Sequence, residues 1–426
     1  AAASSTTSQR LSSPAATSPQ RVSTAAGEKP PAAAAPQKKV PVAKVRPKPE
    51  LPNVRFPMPE LLAVNLSQKN IAQAQKLGFT IGHSANHGQL GIRVTNVGIP
   101  PGMSVAAAQA MLDRELPGDA FVPNRVYTPY RPATEQKSGQ TNGGDATGVR
   151  QAGHKGCDAD RCYGPTAIGW TQHLSTCAQG VRIGLVDTSV DFEHSAFLGG
   201  KSRFVPWPEN PRSAVKDPHG TSVLSVLAGD PKSGTPGLVP DATFLVADVF
   251  QTDAQNRPIS DTSRLLAAFN WLQTQNVEII NLSLAGPPDE LMQKMIDQMS
   301  RKGVIFVAAA GNGGPSAPPS YPAAYKDVVS VTAVGKDFRA YRYANRGDYI
   351  DVAAPGVEIW SAFPNSQEGF QTGTSFAVPY VTAMLASAYK TAATKNKQEL
   401  LSLLPIKDLG APGKDPTYGR GLMLAP

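Results

Sequence analysis

An apolar run that ends in an acidic residue constrains the fold of this chain more than any other feature. Residues Val181 to Val186 are mostly apolar and favour a strand, and Asp187 follows them directly. Such a run predicts a strand of a parallel sheet that is buried on both faces. Open α/β sheets bind their ligands at the carboxyl ends of their strands. We therefore expect an α/β fold that places Asp187 where a site would form.

Two later polar residues stand at the start of predicted helices. His219-Gly-Thr precedes the apolar stretch Ser222 to Ala228, and Ser375 precedes Phe376 to Ala388. Both stretches have the apolar spacing of helices that pack on a sheet. The amino end of a helix offers free N–H groups and a dipole that favours negative charge. A negative charge that develops beside Ser375 would therefore be stabilised by the backbone N–H groups at this helix end.

Four segments of this chain resemble, in their order, the motifs of the subtilisin family of serine peptidases. They are Asp187-Thr-Ser, His219-Gly-Thr, Ala310-Gly-Asn-Gly313 and Gly373-Thr-Ser-Phe-Ala-Val-Pro379. A single Ser before a helix is most often a cap, but four motifs in the family's order favour catalysis. The resemblance runs from about Tyr163 to Gly421. It implies a doubly wound, mostly parallel sheet, a triad of Asp187, His219 and Ser375, and Asn312 as oxyanion donor.

The same resemblance implies where a substrate side chain would bind. Leu284, Ala285 and Gly286 would form one wall of the primary specificity pocket, and Gly313 would lie near its base. These walls are small and contain no carboxylate. A Lys or Arg buried there would have no partner, whereas an apolar side chain gains from burial. We expect cleavage after Leu, Met or Phe.

Residues 56–132 predict a small α+β domain. Their expected order is β-α-β-β-α-β, which is a ferredoxin-like unit, with Ser67 and Ser104 as helix caps. The last strand is expected to include Ala120-Phe-Val and Arg125-Val-Tyr127. Such a unit before a subtilisin-like domain resembles the family's propeptide, which inhibits the enzyme until it is cut. An unrelated small α+β domain is the alternative.

The remaining segments complete a four-part organisation. Residues 1–55 are rich in Ala, Pro and Ser and predict a disordered basic tail, because they have little apolar surface to bury. Residues 133–153 predict a flexible linker with a processing site between Tyr130 and Tyr163. Residues 154–426 would form the catalytic domain.

The three cysteines lie close together, at positions 157, 162 and 177. In an exported protein they predict one disulfide and one spare thiol, with Cys157–Cys162 as the favoured pair of three. With His154 they also form a set of four possible zinc ligands, although the spacing fits no common template. We expect no metal and no organic cofactor. A calcium site is not carried over from the family, because Ala196 stands where many relatives have an acidic ligand.

Charge and hydropathy limit the possible partners. The net charge is +8, and residues 1–55 carry nine basic and two acidic residues, so the tail accounts for +7 and the rest is nearly neutral. Nucleic-acid binding is therefore not expected. No apolar run approaches the roughly 20 residues of a membrane helix. The chain begins without Met or an export signal, and we expect a monomer exported to the periplasm or outside the cell, its signal removed.

These observations predict a serine endopeptidase made as a self-processing zymogen. Its partners would be protein or peptide substrates and its own propeptide as an intramolecular inhibitor. One alternative is a dedicated processing protease that acts on itself or on one partner. Another is a catalytically silent binding module. Ser189 stands where the family usually has Gly, but its small side chain should fit.

Overall fold

The computed structural model describes residues 60–88, 90–130, 150–151, 161–199, 202–208 and 217–426. The predicted basic tail, His154 and Cys157 lie outside these ranges, as does most of the predicted linker. Cys177 is a free, exposed thiol. The pairing of Cys157 with Cys162 stays a prediction.

An antiparallel sheet and two helices form the first part of the described chain. Its elements are β1 (Glu60–Val64), α1 (Gln68–Lys76), β2 (Thr80–His87), β3 (Ile92–Gly98), α2 (Val105–Glu115) and β4 (Ala120–Pro123). The strand order is β2-β3-β1-β4. Ser67 and Ser104 each accept from a backbone N–H of the helix that follows, at 3.2 Å. The expected β-α-β-β-α-β order is therefore present.

The next strand, β5 (Val126–Pro129), leaves this sheet. The pattern of Arg125-Val-Tyr127 predicts a part of that sheet's last strand, and this prediction is wrong. Instead β5 lies between β11 (Pro258–Asp261) and β13 (Leu284–Ala285) and is antiparallel to both. Both strands offer backbone groups along a free edge, and one inserted strand pairs with both.

A nine-stranded sheet forms the centre of the larger part. Its strands are β7 (Arg182–Asp187), β8 (Arg203–Pro206), β9 (Thr243–Asp248), β12 (Ile279–Leu282), β14 (Ile305–Ala309), β15 (Val328–Val334), β16 (Val352–Pro355), β19 (Ile406–Lys407) and β20 (Leu422–Met423). Their order is β19-β20-β16-β15-β14-β12-β7-β9-β8, and all neighbours are parallel except β19 and β20.

Helices cover both faces of this sheet, as an α/β fold requires. Helices α5 (His219–Ala228) and α8 (Thr374–Tyr389) share one buried cluster with alternate strand residues such as Ile183 and Leu185. Helices α6 (Thr262–Thr274) and α7 (Glu290–Arg301) share a second cluster with the intervening residues, such as Val186. That second cluster also contains Leu62 and Val94 of the small sheet, so the two parts have a common apolar core.

The remaining elements are short or peripheral. They are β6 (Arg150–Gln151), α3 (Tyr163–Ala167), a 3₁₀ turn (Gln172–Thr176), α4 (Ser195–Leu198), β10 (Gln251–Thr252), β17 (Ile359–Phe363), β18 (Gln367–Gln371) and α9 (Lys397–Leu403). Strand β6 pairs with β18, so these two residues of the predicted linker are ordered. Within the described ranges, no helix is both long and apolar enough to span a bilayer.

Candidate active site

Asp187 lies at the point where the strand order of the large sheet reverses. From β7 the chain fills one side of the sheet with β8 and β9, and then the other side with β12, β14, β15 and β16. Such a switch point opens a crevice beyond the carboxyl ends of the strands. Asp187 is the last residue of β7 and is buried. Its Oδ1 atom accepts a 2.7 Å hydrogen bond from the backbone N–H of Thr188.

His219 connects this carboxylate to the helix that carries Ser375. It is the first residue of α5, and its Nδ1 lies 2.7 Å from Oδ1 of Asp187. Its Nε2 lies 2.9 Å from Oγ of Ser375. The carboxylate fixes the proton on Nδ1, because a carboxylate can only accept. Nε2 is then the basic nitrogen, and it faces the serine hydroxyl.

Ser375 is the second residue of α8, and its side chain is fully buried. Pro379 stands four residues later in the same helix and has no N–H to donate to the carbonyl of Ser375. The Oγ of Ser283 donates to that carbonyl instead, at 3.4 Å. Ser283 thus connects the serine's helix to the segment that contains β12 and β13.

Asn312 presents the nitrogen of its side-chain amide beside this serine. Its Oδ1 accepts from the backbone N–H of Thr374 at 3.0 Å and from Oγ1 of Thr374 at 2.9 Å. These two bonds orient the amide, so that Nδ2 points the other way. Among the described residues Nδ2 is buried and has no hydrogen-bond partner. A buried donor without a partner is costly, and it marks a place prepared for an acceptor.

Two glycines keep the space around these groups open. A Cβ on Gly373 would lie 3.0 Å from Nδ2 of Asn312 and 3.4 Å from Oγ of Ser375, so a side chain there would fill the gap between them. A Cβ on Gly220 would lie 2.3 Å from the backbone oxygen of Thr188. A side chain at position 220 would therefore collide with this oxygen, and only glycine fits beside His219.

The predicted specificity residues contact the chain's own segment 126–130. Leu284 pairs with Pro129, and Ala285 pairs with Thr128. A Cβ on Gly286 would lie 2.3 Å from the ring of Tyr127, which is fully buried. Burial, and then the charge of Asp289, raise the pKa of Tyr127 far above its usual value.

Gly313, by contrast, lies on the exposed side of its loop. Its N–H donates to Oδ1 of Asn345 at 2.8 Å. The ring of Tyr130 occupies a buried pocket, and its backbone N–H donates to the carbonyl of Ser283 at 3.4 Å. Its hydroxyl contacts the carbonyl of Ala309 and the Oγ of Ser320. Ser320 stands in no motif, so the sequence alone does not indicate its contact with Tyr130.

His194, the other histidine near Asp187 in the sequence, has a structural environment. Its Nδ1 accepts from the N–H of Ala196, and its Nε2 lies 2.9 Å from the carbonyl of Gln367. Both ring nitrogens are therefore occupied in the neutral form, with the proton on Nε2. Burial lowers the pKa of His194. Among the described residues, no group of three or more His, Cys, Asp or Glu side chains is arranged to hold a metal ion.

Comparisons with known proteins agree with this geometry. The family model described as "Subtilase family" matches residues 178–421, which is more than half of the chain. Subtilisin E of Bacillus subtilis (strain 168) is 31% identical over 212 residues, which cover 48% of this chain and 54% of subtilisin E. The minor extracellular protease Epr of the same strain is 27% identical over 251 residues, which cover 58% of this chain and 38% of Epr. The chain thus spans less than two thirds of either relative.

A solved structure shows the same fold over a larger part of the chain. It is the crystal structure of fervidolysin from Fervidobacterium pennivorans, described as a keratinolytic enzyme related to subtilisin. Its TM-score is 0.68 at 22% sequence identity, and the match covers 88% of this chain and 61% of fervidolysin. The predicted subtilisin-like fold class is therefore confirmed.

Proposed function

The chain belongs to the subtilase family, and we propose that it is a serine endopeptidase that uses Asp187, His219 and Ser375 as its triad. One observation carries the proposal. An unbroken hydrogen-bond path runs from Asp187 through His219 to Ser375, beside a buried amide nitrogen of Asn312 that has no partner among the described residues. A serine that only caps a helix, or an aspartate that only ends a strand, would not require such a path.

Each group has one role in the proposed reaction. The Oγ of Ser375 attacks the peptide carbonyl while Nε2 of His219 takes its proton. The carbonyl oxygen becomes negative and accepts from Nδ2 of Asn312 and from the N–H of Ser375, which has no partner within its helix because it lies in the first turn. His219 then protonates the leaving amine, and Asp187 stabilises the imidazolium without taking the proton. Water hydrolyses the acyl-enzyme by the same steps.

We further propose that the first peptide bond cut belongs to the chain itself. Segment 126–130 pairs with β11 and β13 in an extended conformation, which is the conformation that a protease substrate adopts, and it ends beside Ser283. The small sheet shares an apolar core with the larger part, which would hold the segment in the cleft after the cut. Residues 60–130 would then act as inhibitor until they are removed.

Labelling with a fluorophosphonate tests the proposed nucleophile directly. The full chain should appear as two fragments by intact mass, and once the amino-terminal fragment has been degraded the catalytic part should be labelled once and should hydrolyse casein. Ser375→Ala should lose labelling and hydrolysis and stay as one chain. Ser402→Ala, which changes an exposed serine, is the matched control. Labelling of Ser375→Ala at the level of the control would contradict the assignment, and a wild-type chain that is neither labelled nor active would favour a silent binding module.

We also propose that the protein is exported. Epr is named as an extracellular protease, whereas another relative, 31% identical over 220 residues, is named the major intracellular serine protease of the same strain. The family therefore does not decide the compartment. Detecting the protein in fractions of its source cells would decide it, and recovery in the cytosolic fraction alone would contradict export.

A further inference from the structure

The far end of the pocket that holds Tyr130 is polar, although its walls were expected to be apolar. The hydroxyl of Tyr130 lies 3.1 Å from the carbonyl oxygen of Ala309 and 2.5 Å from Oγ of Ser320. Ala309 is the last residue of β14, and Ser320 is only 9% exposed. Both polar groups are therefore withdrawn from solvent, and both point at one hydroxyl.

The donors and acceptors at this place match a phenol. The carbonyl of Ala309 can only accept, so the O–H of Tyr130 donates to it. The remaining lone pairs of the phenol oxygen accept from the O–H of Ser320. Burial raises the pKa of Tyr130, so the phenol keeps the proton that it donates. One hydroxyl group at this position satisfies both protein groups at once.

We propose that this pocket selects tyrosine at the residue before the cut bond, and that Ser320 is the residue that distinguishes tyrosine from phenylalanine. This inference rests on the proposed function of the same site. It identifies Tyr130–Arg131 as the bond cut during self-processing, because the N–H of Tyr130 is held by Ser283, whose hydroxyl also donates to the carbonyl of Ser375.

A phenylalanine in the pocket would leave the carbonyl of Ala309 and the hydroxyl of Ser320 without a partner. Sites built to bind a substrate hydroxyl discriminate strongly against an analogue that lacks it, because buried polar groups are then unpaired. A leucine would also leave part of the pocket empty. We therefore expect kcat/KM for tyrosine to exceed that for phenylalanine by at least about tenfold.

Peptides taken from this chain provide the test. The full chain is expressed, and the concentration of active sites in the recovered protein is first measured by titration with a fluorophosphonate. It is then assayed with peptides Tyr-Thr-Pro-X bearing an aminocoumarin amide, where X is Tyr, Phe, Leu or Lys. The Tyr peptide is expected to have the highest kcat/KM. Intact mass should show an amino-terminal fragment that ends at Tyr130.

Ser320→Ala separates selectivity from a structural effect. It removes one hydroxyl without adding bulk, so the Tyr/Phe ratio should fall to about threefold or less, because kcat/KM for the Tyr peptide falls and kcat/KM for the Phe peptide stays the same or rises. A purely structural role would lower both rates together. Ser316→Ala, an exposed serine in the same loop, is the control.

The outcomes distinguish this inference from the proposed function. A labelled enzyme that cuts after Phe or Leu as fast as after Tyr overturns the inference and leaves the peptidase intact. An unchanged Tyr/Phe ratio in Ser320→Ala overturns the role of Ser320. A protein that neither reacts with the probe nor cuts any peptide overturns the function itself, and tyrosine selectivity with it.

Discussion

Thr374 holds the side-chain oxygen of Asn312 with two hydrogen bonds, one from its backbone N–H and one from its hydroxyl. The hydroxyl of Thr374 also accepts from the N–H of Gly311 at 3.2 Å. Thr374 therefore decides which end of the amide faces Ser375, although its own side chain contacts no reacting atom.

The first prediction compares Asn312→Ala with Thr374→Val. Asn312→Ala removes the proposed oxyanion donor and should lower kcat by about 10²- to 10³-fold. Thr374→Val keeps the shape of the side chain and the backbone hydrogen bond to Asn312 but removes the hydroxyl bond. We therefore expect kcat to fall by about tenfold with little change in KM. Both are measured with the Tyr-Thr-Pro-Tyr amide. A Thr374→Val enzyme with wild-type kcat would show that the amide needs no such anchor.

The second prediction concerns the tautomer of His219. In Asp187→Asn an amide replaces the carboxylate that accepts from Nδ1, and the amide can favour the wrong tautomer. We expect kcat to fall by about 10⁴-fold while the near-ultraviolet circular dichroism stays unchanged. Asp408→Asn, at an exposed carboxylate, is the control. A loss below about tenfold would contradict the role of Asp187.

The third prediction concerns the ring of Tyr127, which lies against Gly286. Wild-type enzyme should prefer Tyr-Thr-Pro-Tyr to Ala-Thr-Pro-Tyr, because the first ring is buried in the complex. A methyl group from Gly286→Ala would occupy the place of that ring. We expect kcat/KM for the Tyr peptide to fall by about tenfold or more, and that for the Ala peptide to change little. Equal losses for the two peptides would mean that the methyl group distorts β13 instead.

The fourth prediction concerns stability at low pH. Burial lowers the pKa of His194 and of His87 below the ordinary value of about 6.5. Below about pH 6.5 these histidines are therefore protonated more fully in the unfolded chain than in the folded chain. The free energy of unfolding falls as the pH falls through this range. Each histidine contributes at most about 1.4 kcal/mol per pH unit.

Thermal unfolding of the uncut Ser375→Ala chain at pH 8 and pH 5 measures this effect. Adding His194→Gln should lower the melting temperature at pH 8, because two buried hydrogen bonds change, but it should reduce the difference between the two pH values. Adding His173→Gln, at an exposed position, should change neither. An unchanged pH difference in His194→Gln would contradict the prediction.

The sequence predicts those parts of the site that are set by neighbouring residues along the chain. Asp187 follows a continuous apolar run, and His219 and Ser375 begin helices whose apolar spacing is visible in the chain. The local sequence, with its two capping serines, likewise predicted the small sheet and its two helices. Each of these features depends on residues that are near one another in the sequence.

The features that were missed depend on distant contacts. The pairing of β5 with β11 and β13 requires edges contributed by residues more than 120 positions away, so local pattern assigned Arg125-Val-Tyr127 to the wrong sheet. The polar end of the Tyr130 pocket comes from a strand carbonyl, which every residue has, and from Ser320, which stands 190 positions from Tyr130. Gly313 is exposed, and its assignment to the base of the pocket stays a prediction.

The four-stranded sheet β10-β11-β5-β13 contains one strand that is expected to leave. Its departure would leave a slot two strand spacings wide, about 10 Å, with unpaired backbone groups along both walls. Only an extended backbone fits such a slot and pairs with both walls, since a helix of 10–12 Å diameter has used its own N–H and C=O groups internally. The proposed protease would therefore accept only extended segments, whatever their side chains. Natively folded proteins would be cut only where a segment of about five residues can detach and straighten.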